Sequence, residues 1–186
     1  MEKIDYLVLL RGINVGGNNL IKMDVLKNTF NEMGFTNVKT YIQSGNIIFM
    51  DREDNKAKLK KRIERTLFDK FDIRINVLIL SLSEIKNILN NIPAKFGEEN
   101  GKFKYDIVFL IEPLTTKEIL KELKAKENGD EIFEGEKVFY IKRLIEKLTG
   151  SCLSKIMRTP MWQNITIRNL NTTKKLYELM LERDIK

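Results

Sequence analysis

The sequence predicts an α+β protein made of two ferredoxin-like βαββαβ halves packed together. Three observations point there. Apolar runs of strand length alternate with amphipathic helical stretches. Residues 1–81 carry these elements in the order β-α-β-β-α-β, the split βαβ unit. The same order recurs after a polar stretch that contains Gly97 and Gly101.

In the first half, Asp5 to Leu10 reads as a buried strand, with Arg11 directly after it. Gly12-Ile13-Asn14-Val15-Gly16-Gly17-Asn18-Asn19 is a glycine and asparagine loop. Met23, Leu26, Phe30 and Met33 share one helical face, and Gly34 stops that helix. Val38 to Ile42 and Ile47 to Met50 are strands around the turn Ser44-Gly45-Asn46. Leu59, Ile63, Leu67 and Phe71 mark a second helix begun near Asp54 or Asn55, and Ile75 to Leu80 is a fourth strand.

Residues 82–103 read as a connecting helix and linker. Ser81 and Glu84 form a capping box, and Leu82, Ile85, Leu89 and Ile92 make the apolar face. Residues 104–186 are the second βαββαβ-like unit with a C-terminal helix. Asp106 to Ile111 is its first strand, and Thr115 with Glu118 caps a helix carrying Ile119 and Leu123. Glu131 to Phe133 and Lys137 to Ile141 form a hairpin. A helix near Cys152 to Met157, a strand around Ile165 to Ile167 and a helix over Thr172 to Leu181 follow. The strands Tyr6 to Leu10, Val77 to Leu80 and Ile107 to Ile111 are apolar without alternation, which predicts sheets covered on both faces, the second face meeting the other unit.

Composition removes whole classes of chemistry. Among 186 residues there is no histidine and a single cysteine, which excludes Ser-His-Asp and Cys-His catalysis, His-ligated metals, thiolate zinc sites and internal disulfides. Neither a metal nor a cofactor is expected. The longest apolar runs are strand-sized, so no membrane partner is expected either. The start lacks a signal-peptide layout, and a lone cysteine suits a reducing compartment, so the expected location is cytoplasmic. Oligomeric state is not legible.

The net charge is +7, and Lys137 to Lys175 holds nine basic residues against one acid, Glu146. That stretch makes nucleic acid a second candidate partner, through Lys142, Arg143, Lys147, Lys155 and Arg158. A solvated basic surface is the alternative. RNA recognition on a sheet face is disfavoured, because the third strand, Asn46-Ile47-Ile48-Phe49-Met50, and the first, with Tyr6, lack most of an aromatic platform. Trp162 is either a stacking residue or a loop anchor, and Cys152 beside Leu153 and Ile156 reads as a small core residue. A histidine-independent enzyme is a third possibility, with Lys22, Tyr41 or a carboxylate as proton carrier; no close carboxylate pair is set by spacing.

Topology places a candidate ligand-binding site. In a βαββαβ sheet the first two strands run parallel, with the third antiparallel between them. The loop after the first strand and the turn between the second and third therefore emerge at one edge. Arg11, Asn14, Gly16, Gly17 and Asn18 are expected there beside Gln43, Ser44 and Asn46. Arginine pairs with phosphate or carboxylate, and glycines let a backbone approach a ligand closely, so the expected partner is an anionic small molecule. The loop is neither a Walker A loop nor a GxGxxG fingerprint. Turn chemistry alone, with an arginine at a strand end, is the competing account.

Leu10-Arg11-Gly12-Ile13-Asn14-Val15-Gly16-Gly17 and Tyr41-Ile42-Gln43-Ser44-Gly45-Asn46 resemble the two signature stretches of a bacterial family, domain of unknown function 1697. Thr166-Ile167-Arg168-Asn169-Leu170-Asn171-Thr172 with Lys175-Leu176 resembles its third motif, making Arg168, Asn169 and Asn171 secondary site candidates. The resemblance implies two ferredoxin-like halves and supplies no activity, substrate or catalytic residue. A family signature concentrated on polar loop residues favours a site at the first edge. Two departures stand out. Leu170 occupies a position where the family usually has Trp, and Glu146-Lys147-Leu148 stands where a Ser-Lys-Leu stretch is usual.

Overall fold

The computed structural model describes residues 2–17, 19–99, 101–122 and 129–182. Asn18 and Leu123, both named above, lie outside the described residues. The chain divides into two units, Met1–Ile85 with Leu176–Lys186, and Lys86–Lys175.

The first unit follows the predicted element order: β1 (Ile4–Leu10), α1 (Met23–Glu32), β2 (Thr36–Tyr41), β3 (Asn46–Asp51), α2 (Lys56–Phe71) and β4 (Val77–Ser81). Its sheet has the strand order β2-β3-β1-β4, every neighbouring pair antiparallel. Because β1 and β2 both run against β3, they are parallel to each other. Leu9 faces Asn46 and Leu10 faces Val77 in the ladders.

Local chemistry explains the ends of these elements. The Asn55 side chain accepts from the N–H groups of Ala57 and Lys58, capping α2. Asp72, with φ 53°, closes that helix by donating its N–H to Phe68 O at 2.8 Å. Helical spacing then brings Leu59, Ile63 and Leu67 onto Val8, Leu10 and Phe30, all at most 1% exposed. Phe35 stacks on Phe49 with ring centroids 4.1 Å apart. Leu7, Leu9 and Ile48, which alternate to the opposite face, are equally buried. Both faces of β1 are therefore dry, as unalternating strands predict.

α3 (Leu82–Asn90) opens on the expected capping box: Ser81 N–H donates to Glu84 Oε2 at 2.8 Å, and Glu84 N–H donates back to Ser81 Oγ at 3.3 Å.

The second unit holds β5 (Phe103–Leu110), α4 (Thr116–Glu122), β6 (Glu131–Gly135), β7 (Val138–Leu144), α5 (Cys152–Ile156) and β8 (Ile165–Asn169). α6 (Leu170–Leu181) follows directly. The sheet order, β6-β7-β5-β8, reproduces that of the first. The two halves are thus antiparallel α+β units of one topology. The Thr115–Glu118 box forms at α4, with Thr115 Oγ1 donating to Glu118 Oε2 at 2.6 Å.

Two details depart from the sequence reading. β7 extends to Leu144 rather than Ile141, and β5 begins at Phe103. The residues added to β7 include Lys142 and Arg143, charges that apolar periodicity does not register. The structure neutralises them instead. Lys142 Nζ lies 2.6 Å from Glu99 and 3.1 Å from Glu131 and sits over the Phe103 ring, while Arg143 pairs with buried Asp106 at 2.5 Å. The helix between β7 and β8 is short, as the reading of Cys152 to Met157 expects. α5 spans five residues between 3₁₀ turns at Ile145–Gly150 and Pro160–Asn164. Gly150 and Pro160 interrupt what would be a full-length partner of α2.

The polar stretch between α3 and β5 is anchored by an aromatic. Phe96 is buried, with edge contacts to Tyr105 at 4.9 Å and Tyr140 at 5.9 Å. The Tyr140 hydroxyl donates to Ile88 O at 2.6 Å, and burial pushes its pKa up to about 12.

Candidate anion-binding edge

β1 delivers Arg11 to the end of the first sheet, where the loop after it meets the β2–β3 turn. Two backbone bonds set this junction. Leu10 N–H donates to Gly45 O at 2.8 Å, and Arg11 N–H donates to Asn76 O at 3.0 Å. Gly45 is required here: its φ is +71°, and an added Cβ would lie 2.8 Å from Ile13 Cδ1 and 2.9 Å from Leu10 Cβ. Ile13, 1% exposed, fills the space beneath the turn.

Asn14 ties the two signature stretches together. Its Nδ2 donates to Gln43 O at 2.8 Å and to Ile21 O at 2.9 Å, while its Oδ1 accepts from Ile21 N–H at 2.7 Å. Its backbone N–H donates to Asn19 O at 3.1 Å, and Asn19 Nδ2 donates to Gly12 O at 3.0 Å. Asn46 is fully buried, and its Nδ2 donates to Tyr41 O at 3.0 Å and Ser44 Oγ at 2.9 Å. Both asparagines therefore hold the shape of the edge.

The other described candidates are less buried than Asn46. Arg11 is half-buried, and that burial draws its guanidinium pKa below the ordinary value, though an arginine stays charged at neutral pH. Gly16 and Gly17 have positive φ, 61° and 80°, with open space where a Cβ would stand. Gln43 is exposed and Ser44 half-buried. Lys22 precedes α1 as an exposed residue, and Tyr41 ends β2. The structure thus gathers Arg11, Gly16, Gly17, Gln43 and Ser44 on the two stretches that meet at this edge.

The third motif is built differently. Arg168 is 7% exposed, and Nη1 donates to Thr166 Oγ1 at 2.9 Å and Ile167 O at 2.8 Å; burial brings its pKa down to about 10. Asn169 Nδ2 donates to Tyr105 O at 2.9 Å, and its Oδ1 accepts from Asn171 N–H at 3.0 Å, capping α6. Asn171 is exposed. Leu170 is buried against Gly97, whose added Cβ would lie 2.7 Å from Leu170 Cδ2, so this position is core.

The basic stretch does not present nine surface cations. Lys137 pairs with Glu112, Lys142 with Glu99 and Glu131, Arg143 with Asp106, and Arg168 is buried. Lys147, Lys155, Arg158 and Lys174 are exposed. Cys152 is 4% exposed, and burial together with Asp130 pushes its thiol up to about 12, which suits a core residue. Trp162 is partly buried and packs against the core of the second unit. A cleft of about 400 Å³ in that unit, lined by Asn87, Asn91, Glu134, Glu136 and Tyr140, was not legible in the sequence. Asn87 Nδ2 meets Glu136 Oε2 at 3.1 Å across 49 positions of chain, a pairing no local pattern signals. Among the described residues, no helix is long and apolar enough to cross a membrane, and no group of three or more Cys, Asp or Glu could hold a metal ion.

Comparison with known proteins agrees with this architecture. The model of a family described as protein of unknown function (DUF1697) matches residues 4–140, which includes both stretches that form the edge. The solved structure of conserved bacterial protein SP0830 from Streptococcus pneumoniae is similar to this chain with a TM-score of 0.82 and 26% identity, covering 96% of this chain and 99% of that one. No curated protein matches.

Proposed function

We propose, from the premise that this chain belongs to the DUF1697 family of proteins of unknown function, that it binds an anionic or phosphorylated small ligand at the Arg11 edge. Arg11 carries the charge. Gly16 and Gly17, with Asn18 beside them in sequence, let backbone N–H groups approach the anion, and Gln43 and Ser44 orient it. Asn14 and Asn46 are positioning residues. The observation that supports the reading is the junction itself: the bonds from Leu10 to Gly45 and from Asn14 to Gln43 join two polar loop stretches, 29 residues apart at the latter bond, at one strand end. Polar loop residues gathered on a sheet edge are the usual material of binding sites.

Titration calorimetry with inorganic phosphate and a panel of nucleotides and sugar phosphates tests it. Binding should disappear in Arg11→Ala, persist weakly in Arg11→Lys, and leave the melting temperature nearly unchanged. If Arg11→Ala binds like the parent protein, or if no anion in the panel binds, the reading fails. The nucleic-acid reading has thinner support, because Lys142 and Arg143, two of the five cations it relies on, are held by carboxylates.

A further inference from the structure

The same edge carries an apolar rim. Leu20 is 74% exposed, Val15 61% and Ile42 49%, three of the four most exposed large apolar side chains among the described residues. Each adjoins the hydrogen-bonded junction. Val15 follows Asn14, Leu20 follows Asn19, and Ile42 precedes Gln43, whose carbonyl accepts from Asn14. Ile42 also has φ 47°, a left-handed conformation that a β-branched residue adopts at a cost. An isoleucine there gains neither burial nor backbone ease, so folding does not account for it.

Charge selects the occupant. Neither Arg11 to Lys22 nor Ile42 to Asn46 contains an Asp or Glu, so Arg11 and Lys22 are the only ionised side chains of these two stretches. A second copy docking by two-fold symmetry would set this cationic patch against itself. An anionic bilayer would find two cations, too few for firm attachment. A single molecule with an anionic head and its own hydrocarbon part satisfies both features. Resting on the anion-binding reading above, we infer that the ligand is an anionic amphiphile: a phosphate or carboxylate carrying an aliphatic chain, its head at Arg11 and its chain over Val15, Leu20 and Ile42.

The test titrates the full chain with methyl phosphate and with decyl phosphate below its micelle concentration. Decyl phosphate should bind at least about tenfold more tightly, the scale expected from covering a few methylenes. Leu20→Ser combined with Ile42→Asn should bring the two affinities within about twofold of each other while methyl phosphate binding stays as it was. Asparagine suits φ 47°, so that variant folds at least as well at this position. Equal affinities, an unaffected double variant, or decyl phosphate binding that survives Arg11→Ala would overturn the inference and leave the anion reading to its own test. Failure of both phosphates to bind would overturn both. Sedimentation with anionic vesicles, without binding of monomeric decyl phosphate, would assign the rim to a membrane surface and also overturn the inference.

Discussion

Asn14 Nδ2 donates to the Gln43 carbonyl across 2.8 Å, joining the loop after β1 to the β2–β3 turn. This side chain also brackets Ile21 through both of that residue's backbone polar groups. Asn14→Ala removes these three bonds and a weak one to Met23 Sδ at once and should lower unfolding stability by about 2 kcal/mol. Asn14→Asp, which keeps the acceptor for Ile21 N–H and loses the donor to both the Gln43 and the Ile21 carbonyls, should fall between. Denaturant melts of the two variants check the ranking. Anion binding should weaken in step with the melts, unlike the isolated binding loss expected of Arg11→Ala.

The Asp106–Arg143 pair is the most buried ion pair among the described residues, with side chains 3% and 11% exposed and a separation of 2.5 Å. Arg143 Nη1 also donates to buried Ser151 Oγ at 3.3 Å, tying β7 to the turn before α5. Asp106→Ala strands the guanidinium in the interior and should cost about 3–5 kcal/mol. Exchanging the pair together for apolar residues of similar volume should cost far less. Equal losses in both variants, measured by chemical denaturation, would show that the charge pairing is immaterial.

Glu84 predicts an acid-side signature. Burial alone would raise its pKa, but hydrogen bonds from Lys56 and from Ser81 outweigh it and hold the carboxyl below its usual range. A group lowered on folding stabilises above its unfolded pKa, near 4.3, and that contribution vanishes as pH falls through the folded value. Glu84→Gln should therefore flatten the stability profile on the acid side of roughly pH 5. The ion pair is partly exposed, so the difference is small, below about 1 kcal/mol. Melting temperatures across that range measure it.

Cys152 should be silent in the native protein. Its thiol is raised to about 12, chiefly by burial and then by Asp130, so almost none of it is thiolate at neutral pH. Iodoacetamide should leave it unmodified until guanidinium unfolds the chain, as mass spectrometry reports. The unfolded thiol ionises above roughly pH 8.5 while the folded one keeps its proton, so Cys152→Ser should reduce the loss of stability at alkaline pH.

Much of the fold is written in short-range chemistry. Asn55, Ser81 with Glu84, and Thr115 with Glu118 act within three residues, so caps read from the sequence reappear in the structure. The apolar face of α2 and the unalternating β1 work the same way, through periodicity alone. The end of β7 was not legible, because Lys142 and Arg143 look like surface charges until Glu99, Glu131 and Asp106 are seen beside them. Arg168 is the same case. It counts toward a basic stretch in the sequence and is buried in the protein.

The candidate edge divides along the same line. Sequence by itself determined that Arg11, the glycine loop and the Ser44 turn leave a βαββαβ sheet at one end, since strand order and direction follow from element order. Tertiary structure decided what each side chain does there. Asn14 and Asn46 serve the backbone, while Leu20, Val15 and Ile42 stay exposed around the loop. A hydrogen bond between residues 14 and 43 competes with water and with many other partners in the unfolded chain. Only the folded sheet, with β3 between β1 and β2, brings those two groups within 2.8 Å and makes that bond the one that forms.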